Sequence, residues 1–442
     1  MRQTLLVIPH EFLATWLLPI WIAIVVIGIV FQVVSKRPGR DVGNWALVGA
    51  VGFAVIRWVV PAIEISGYSP EPPHELVPLG LAIRGYGVMF LLAMFVGVGL
   101  VLVRARQMQV DPDVIVSLAF WVFLAGIIGA RAFYVIEYRE QFQAPTLAES
   151  IGRMVNTTSG GLVVYGSFLG GMGAVLAFCW AKKLPMLALG DMVVPGMTIG
   201  LALGRIGCFL NGCCYGGPCE SPLGVSFPRT AGAYIDQLES GRLVGITSRK
   251  VSEDPVILEV VSVEADSPAA AALFAPGDRF KPYRSGGDAF ERAEALSHSG
   301  RQELFSLLTV DGTKRLSLPL LDLPTGSRPV HPTQLYATIG AVLLTLVLWY
   351  WYPLRYGDGE VVGWAIVLYG TVRFLEEAIR VDEMGQFGTG LSISQLTSLV
   401  LFPVGFGLIA WARWSSRPLA LPPPEQNSGS SSTSSAGSPR PA

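Results

Sequence analysis

Gly204-Arg205-Ile206-Gly207-Cys208-Phe209-Leu210-Asn211-Gly212-Cys213-Cys214-Tyr215-Gly216 closes an apolar run that begins near Met186 and opens onto a polar segment. A glycine-dense turn carrying an arginine therefore stands where a membrane helix meets water. Arginine at that depth is costly in lipid and normally faces a protein interior or a watery cavity. Glycine lets a backbone or a ligand approach closely. Side chains capable of chemistry crowd the stretch: Arg205, Cys208, Asn211, Cys213 and Cys214. The combination predicts an anion site at a membrane surface.

Composition agrees with that setting. The 442-residue chain is 51% hydrophobic and 15% charged, with a mean hydropathy of +0.49. Soluble domains carry about a quarter charged residues, so the deficit indicates a membrane protein. A net charge of −1 lacks the clustered basic charge on which nucleic-acid binding depends, and no nucleic-acid partner is expected. The 50 glycines suit close helix packing in a membrane bundle. Cys179 stands apart from Cys208, Cys213, Cys214 and Cys219, a cluster too tight to frame a large ectodomain.

Runs long enough to cross a bilayer, about 20 apolar residues, fall at 12–34, 45–63, 84–104, 113–136, 160–181 and 188–212. Further runs follow a long gap, at 333–352, 361–380 and 391–413. They predict an all-α polytopic membrane protein of nine transmembrane helices. The first run is long for a cleaved signal and lacks a small-residue cleavage site, so it reads as a retained span. Lys36, Arg37 and Arg40 follow the first run, Arg104 and Arg106 the third, and Lys182 and Lys183 the fifth. Arg355 follows the seventh, and Arg413 and Arg417 the ninth. Basic loops mark cytoplasmic ends, which puts the N-terminus and the gap at 215–330 outside. The chain divides into N-terminal helices (1–75), a first membrane portion (76–240), an insert (241–324), a second membrane portion (325–415) and a tail (416–442). The Ser/Gly/Pro-rich tail reads as disordered and cytoplasmic.

The insert has a different character. Val256–Val263, Glu303–Leu308 and Lys314–Leu318 read as strands. Asp311-Gly312 between the last two is a hairpin signal, and 288–298 reads as a short helix. Ser267-Pro268-Ala269-Ala270 through Gly277-Asp278-Arg279-Phe280 resembles the Ser-Pro-Ala…Gly-Asp stretch of PDZ domains. A small β-rich extracytoplasmic domain without peptide binding is the alternative. The resemblance implies capture of an extended peptide by strand addition, hence a peptide or protein partner for the insert.

Beyond the insert, separate motifs occur in one order. They are Ile83-Arg84-Gly85-Tyr86-Gly87, Gly129-Ala130-Arg131, Gly160-Gly161-Leu162-Val163-Val164-Tyr165-Gly166, and the 204–216 stretch. His331-Pro332-Thr333-Gln334-Leu335-Tyr336 and Tyr369-Gly370-Thr371-Val372-Arg373-Phe374-Leu375-Glu376-Glu377-Ala378-Ile379-Arg380 follow. This set resembles the prolipoprotein diacylglyceryl transferase family across residues 76–413, with the two N-terminal helices and the insert added to a seven-helix core. The resemblance implies transfer of diacylglycerol from phosphatidylglycerol to the lipobox cysteine of a preprolipoprotein signal peptide. It also implies a multi-pass protein of the bacterial cytoplasmic membrane, with the insert on the extracytoplasmic side.

The chemistry implied needs a stabilised leaving phosphate, a base for the thiol, and access from lipid. Guanidinium groups bind phosphate oxygens bidentately and stay charged, so Arg205 and Arg373 are the expected clamp, with Arg131 and Arg380 behind them. Helix-end anchoring by snorkelling is the alternative for these arginines. Glu377 lies four residues after Arg373 on the same helix face, placed to orient that guanidinium, to take a proton, or to form a structural pair. Tyr86 is expected to hydrogen-bond phosphate or thiol, or to anchor at the interface. Asn211 is expected to contact the headgroup and Gly216 to give backbone access. His331 is either part of the lipid site or a polar helix start.

This sequence departs from the family where Cys208 replaces Asn, Cys213 replaces Glu and Tyr165 replaces His. Tyrosine has an ordinary pKa of about 10, so Tyr165 acts as a base only beside a strong cation, though it still donates a hydrogen bond. Cys208-x4-Cys213-Cys214-x4-Cys219 lacks the CxxC pairs of zinc sites. No metal or other cofactor is therefore expected. A loop disulfide joining Cys219 to Cys213 or Cys214 is the plainest expectation outside the membrane, with an enzyme-borne thiol nucleophile the other use. Two rival functions remain at this level. One is an inactive relative that anchors a PDZ-like recruitment module; the other is a transporter, against which no internal repeat of the helical pattern is seen.

Overall fold

The computed structural model describes residues 4–34, 49–50, 52–54, 56–57, 60, 65–68, 76–156, 160–253, 256–283, 290, 293, 297, 302–380, 389–415 and 419–421. β1 (Thr4–Pro9) leads into α1 (His10–Val34), and β2 (Ile65–Tyr68) and β3 (Leu76–Arg84) follow. The strands form an antiparallel sheet in the order β1-β3-β2, with Thr4 opposite Arg84. β3 runs directly into α2 (Gly85–Gln107), so β1 and the start of α2 share one end of the molecule. α3 (Pro112–Glu137) begins at Asp111, whose Oδ1 accepts from the Asp113 N–H at 2.9 Å, with Pro112 in the first turn, the pairing that favours a helix start. The amphipathic α4 (Leu147–Val155) connects it to α5 (Val164–Lys182) and α6 (Met186–Asn211).

The chain then leaves the bundle. α7 (Gly232–Glu239), β4 (Ile246–Glu253), β5 (Val256–Val263), α8 (Pro268–Ala271), β6 (Arg279–Phe280), β7 (Leu304–Leu308) and β8 (Arg315–Pro319) make up the insert. β4-β5-β6 is one antiparallel sheet and β7-β8 a hairpin, joined by a bridge between Phe280 and Thr309. The hairpin turns at Asp311-Gly312, where Gly312 has φ +72°. Tyr234 and Leu238 of α7 pack with Val260, Phe274, Phe280, Phe305, Leu307 and Leu320 in a single core. Ser267 starts α8, accepting from the Ala270 N–H at 3.2 Å and donating to the Glu264 carbonyl at 2.7 Å. The two ends of the insert are zipped together by bridges from Val330 to Pro218 and Val225, and from Gly326 to Pro228.

Three further helices complete the bundle: α9 (Thr333–Trp351), α10 (Glu360–Glu377) and α11 (Ile393–Trp414). α11 opens on a capping box between Ser392 and Gln395, which satisfies backbone donors that a helix start leaves unpaired. Pairs of helices meet through glycine. A Cβ on Gly129 of α3 would stand 2.3 Å from the Gly166 carbonyl of α5. The corresponding distances are 2.8 Å from Gly97 of α2 to Gly196 of α6, and 2.9 Å from Gly363 of α10 to Gly405 of α11. Helices in lipid gain little from hydrophobic burial against one another, so this close van der Waals contact and a few polar contacts hold them. One such polar contact is Thr345 Oγ1 to Thr198 Oγ1 at 2.8 Å.

Charged side chains close the bundle end opposite the sheet. Asp191 of α6 is fully buried and accepts from the Gly359 and Val362 N–H groups at 2.7 and 2.9 Å, which caps α10. Arg104 donates to the Trp349 carbonyl at 2.7 Å and stacks 3.7 Å from its ring. Arg413 donates to Glu360 at 2.9 Å, and Arg355 to the Leu421 carbonyl at 2.6 Å. The basic residues Arg104, Lys182, Arg355 and Arg413 thus collect at one end, as the charge pattern predicts.

Seven of the described helices are long and apolar enough to cross a membrane: α1, α2, α3, α5, α6, α9 and α11. The run expected to span at 361–380 is the continuous helix α10, yet it carries Glu360, Arg373, Glu376 and Glu377. α6, α9 and α11 pack around it, so neighbouring helices cover its charges. The span expected at 45–63 falls largely outside the described residues, as does the helix expected at 288–298. Lys36, Arg37, Arg40, Arg417 and the tail beyond 421 also lie outside them.

Candidate active site

The sheet-bearing end of the bundle gathers most of the residues singled out by sequence. α6 ends there at Gly212, which has φ +72°. The Gly212 N–H reaches the Phe209 carbonyl at 3.2 Å and the Cys213 N–H reaches the Cys208 carbonyl at 3.2 Å. These paired bonds are the Schellman ending, which brings the side chain two positions beyond the cap against the one three positions before the helix end. Here that rule puts Cys213 on Cys208. Cys214 adopts the left-handed conformation at φ +58°, uncommon without glycine, and turns back to the same place. The sulfurs of Cys208, Cys213 and Cys214 all lie within 4.8 Å of one another. The start of α9 pins this loop from outside: Gln334 Nε2 donates to the Cys213 carbonyl at 2.6 Å and Thr333 Oγ1 to the Cys214 carbonyl at 2.8 Å.

Charge converges on the loop. Arg205 and Arg380 lie within electrostatic reach of Cys214, and Arg205, Arg373, Arg380 and Glu377 within reach of Glu376. Hydrogen bonds from the Cys208 and Cys213 thiols hold the Cys214 thiol well below the usual thiol range, and the two guanidiniums add to the effect. Tyr86, at the first turn of α2, stands beside Arg205 and the three cysteines, against the bare face of Gly207. Arg373 donates to Ser394 Oγ at 2.8 Å and pairs with Glu377 Oε2 at 2.8 Å. Among the described residues its Nη1 is buried without a partner, and the Glu377 contact is off the hydrogen-bonding line, which leaves both carboxylate oxygens without a donor. Buried polar atoms are normally paired. Orphans on both sides of an ion pair therefore mark groups with bonding capacity to spare. Arg205, half-buried, has no hydrogen bond or ion pair among the described residues.

Tyr86, Arg205, Arg373, Glu377, Arg380 and Asn211, whose side chain bonds the Cys213 thiol, are thus brought together. The other expected residues lie differently. Arg131 is consumed elsewhere: its guanidinium donates to the carbonyls of Arg153, Met154, Asn156, Gly160 and Gly161 at 2.6–3.0 Å. It closes the end of α4 and the loop after it. Tyr165 is 65% exposed at the first turn of α5 and makes no hydrogen bond to the cluster among the described residues. His331 pairs with Tyr336 at 3.4 Å, and its backbone exchanges bonds with Gly216 and Gly217. Gly216 is packed against Thr333 and His331, with a Cβ position 2.8 Å from Thr333 Cγ2, so its lack of a side chain serves contact with α9. The expected disulfide is not formed. All cysteines are free, and Cys219 sits apart with its sulfur 3.0 Å from Ser221 Oγ. Sequence reasoning passed over Glu376 and Ser394, although Glu376 is one turn from Arg373 on α10.

A helix bundle with seven described helices long and apolar enough to cross a membrane defines a multi-pass membrane protein, with arginines gathered at one end of the bundle. The sequence profile of the prolipoprotein diacylglyceryl transferase family matches residues 74–411. A curated relative in Rhodopirellula baltica, named phosphatidylglycerol–prolipoprotein diacylglyceryl transferase, is 35% identical over 453 residues, covering 94% of this chain and 89% of its own length. Relatives of the same name in Clostridium tetani and Trichormus variabilis are 35% identical over 149 residues and 32% identical over 168. Those matches cover 34% and 38% of this chain, and 57% and 58% of the relatives. The chain belongs to the prolipoprotein diacylglyceryl transferase family.

Proposed function

We propose that this chain transfers the diacylglyceryl group of phosphatidylglycerol to the lipobox cysteine thiol of preprolipoproteins, giving a thioether and releasing glycerol phosphate. The observation that carries the reading is the spare donor capacity of Arg205 and Arg373 beside the carboxylates of Glu376 and Glu377. In the reaction the glyceryl C–O bond breaks and negative charge grows on the departing phosphate. Donors aimed at that charge in a water-poor site lower the barrier. Arg205 and Arg373 take the phosphate oxygens, with Arg380 at the rim. Glu377 and Glu376 orient Arg373 and accept a proton, Tyr86 bonds the headgroup or thiol, and Asn211 fixes the loop. Arg131 supports the site from a distance by holding α4.

The same reading assigns nine spans, counting the run at 45–63 and the charge-bearing α10. Arg104, Lys182, Arg355 and Arg413 then face the cytoplasm across a bacterial inner membrane, and the insert and active site face outside. The insert, from about 232 to 324, is assigned a PDZ-like docking role toward protein substrates. A purely anchoring relative has no use for the half-satisfied Arg373–Glu377 pair, so the enzymatic reading is preferred.

Complementation tests it. In a strain depleted of this activity, the wild-type chain is expected to restore lipoprotein modification and Arg205→Ala to fail. The purified variant is expected to lose about 10²–10³ in kcat, the usual cost of removing one donor from developing charge. Failure of wild type and variant alike would overturn the reading.

A further inference from the structure

We propose that Cys208, Cys213 and Cys214 form a three-thiolate site for a soft divalent cation of the zinc type, whose open position takes the substrate's cysteine sulfur. The inference rests on the transferase reading above and extends it to how the thiol is activated. Zinc–sulfur bonds of about 2.3 Å put tetrahedral ligand sulfurs roughly 3.8 Å apart, and the three sulfurs already lie within 4.8 Å of one another. Small χ1 adjustments close the remaining gap. The loop is built to hold this arrangement: the Schellman ending fixes Cys213 on Cys208, Cys214 is turned in at φ +58°, and Thr333 and Gln334 fix the two carbonyls from α9. Gln334 is wholly buried, and its Oε1 has no hydrogen-bond partner among the described residues.

The number of ligands is informative. No His, Asp, Glu or further Cys among the described residues joins the group. Structural zinc sites are closed by four protein ligands, whereas catalytic ones use three and leave a position for water or substrate. Three thiolates around a divalent cation carry one net negative charge, and Arg205 and Arg380 stand beside Cys214 to offset it. The site adjoins the guanidiniums assigned to the leaving phosphate, so nucleophile and leaving group would be held at one bundle end. Tyr165, 65% exposed, makes no hydrogen bond to the cluster among the described residues, so acidifying the thiol falls to the cation and taking its proton to Glu376 or Glu377.

A coordinating thiol is deprotonated outright. The lipobox thiol would bind in the fourth position and release its proton to the Glu376 or Glu377 carboxylate. Its sulfur then attacks the glyceryl carbon, the C–O bond to phosphate breaks, and glycerol phosphate leaves as the anion. The thioether product is a weak ligand and departs. The metal keeps its oxidation state and no oxidant is consumed.

The test uses the full chain in detergent micelles, loaded with zinc or with cobalt(II) as a coloured substitute. One equivalent per chain is expected, with sulfur-to-cobalt charge-transfer absorption. Cys208→Ser, Cys213→Ser and Cys214→Ser should each weaken binding by at least the roughly 10- to 100-fold that loss of a mere outer partner costs. Cys179→Ser and Cys219→Ser should leave it unchanged. A lipobox peptide should shift the cobalt spectrum as a fourth sulfur joins, while the same peptide with serine for cysteine should not. Metal binding that survives the triple serine variant, or a spectrum indifferent to the peptide, overturns the inference. If the triple variant transfers diacylglycerol as fast as wild type, the inference falls and the transferase reading stands. If metal binds as expected but wild type transfers nothing, the transferase reading falls and the substrate-ligand role falls with it.

Discussion

Arg131 and Arg205 are the same residue type near the C-terminal ends of two helices of the bundle, and they have opposite fates. Arg131 spends its guanidinium on five backbone carbonyls between 153 and 161 and lies over the rings of Tyr134 and Phe142. Among the described residues, Arg205 makes no hydrogen bond or ion pair. A planar fork with five N–H groups suits either task, so composition and spacing alone did not separate them. What separates them is supply: the glycine-rich turn at 160–161 and the end of α4 present carbonyls to Arg131, whereas no carbonyl among the described residues accepts from Arg205. Arg131→Gln is expected to lower stability by about 2–4 kcal/mol, since several carbonyls lose a charged donor. The loop at 153–161 should become sensitive to protease while kcat per folded molecule stays near wild type. Full activity loss at unchanged thermal stability would instead place Arg131 in the chemistry.

At the scale of elements, α3 and α5 are held by backbone contact across Gly129, Gly166 and Gly170. A Cβ on Gly166 would lie 2.3 Å from the Gly129 carbonyl, and that carbonyl cannot yield without bending α3. Gly166→Leu should therefore cost at least about 3 kcal/mol, the upper part of the usual overpacking range, read as a lower unfolding midpoint in micelles. Gly171→Ala is the control, since its Cβ would meet Val122 at ordinary contact distances, 3.6 Å from Cγ1 and 3.9 Å from the carbonyl oxygen. Both substitutions raise helix propensity, so a similar loss in the two variants would show that the close crossing is not what Gly166 protects. Between these helices α4 shows Leu147, Ile151 and Val155 exposed at i, i+4 and i+8, one apolar stripe. Its first turn is capped by Thr146, whose Oγ1 accepts from the Glu149 N–H at 3.3 Å. Such a stripe suits a helix lying in the membrane surface.

For the whole molecule, the insert is a folded body tied to the bundle at a narrow neck. Arg229 donates to the carbonyls of Leu321, Leu323 and Pro324, and Tyr234 to Pro324 at 2.8 Å, so the entry and exit strands stand side by side. Replacing 232–323 by a short glycine-serine linker should leave a folded bundle. Transfer to a short lipobox peptide should persist, while the rate on full-length preprolipoproteins falls. An unchanged rate on both substrates would sink the docking role. The cut includes α7 because Tyr234 and Leu238 lie in the insert's core and would otherwise be left exposed.

Hydropathy, charge at the loop ends and the ordered motifs were enough to determine a helical membrane chain, its helix order and the family. These properties are local: each follows from a short run of residues and the solvent that run prefers. The stretch at 204–216 showed in sequence that arginine, asparagine and cysteines meet at a helix end. It did not show which cysteines meet. The spacing from Cys208 to Cys213 looks wrong for a metal until Gly212 folds the helix end back, and Cys219, near in sequence, is carried away toward Ser221. Only the tertiary structure decided that, because sulfur proximity depends on the left-handed turns and on α9 arriving from more than a hundred residues away. The same holds for Arg131 and Arg205, whose surroundings depend on which carbonyls and carboxylates distant segments bring within reach.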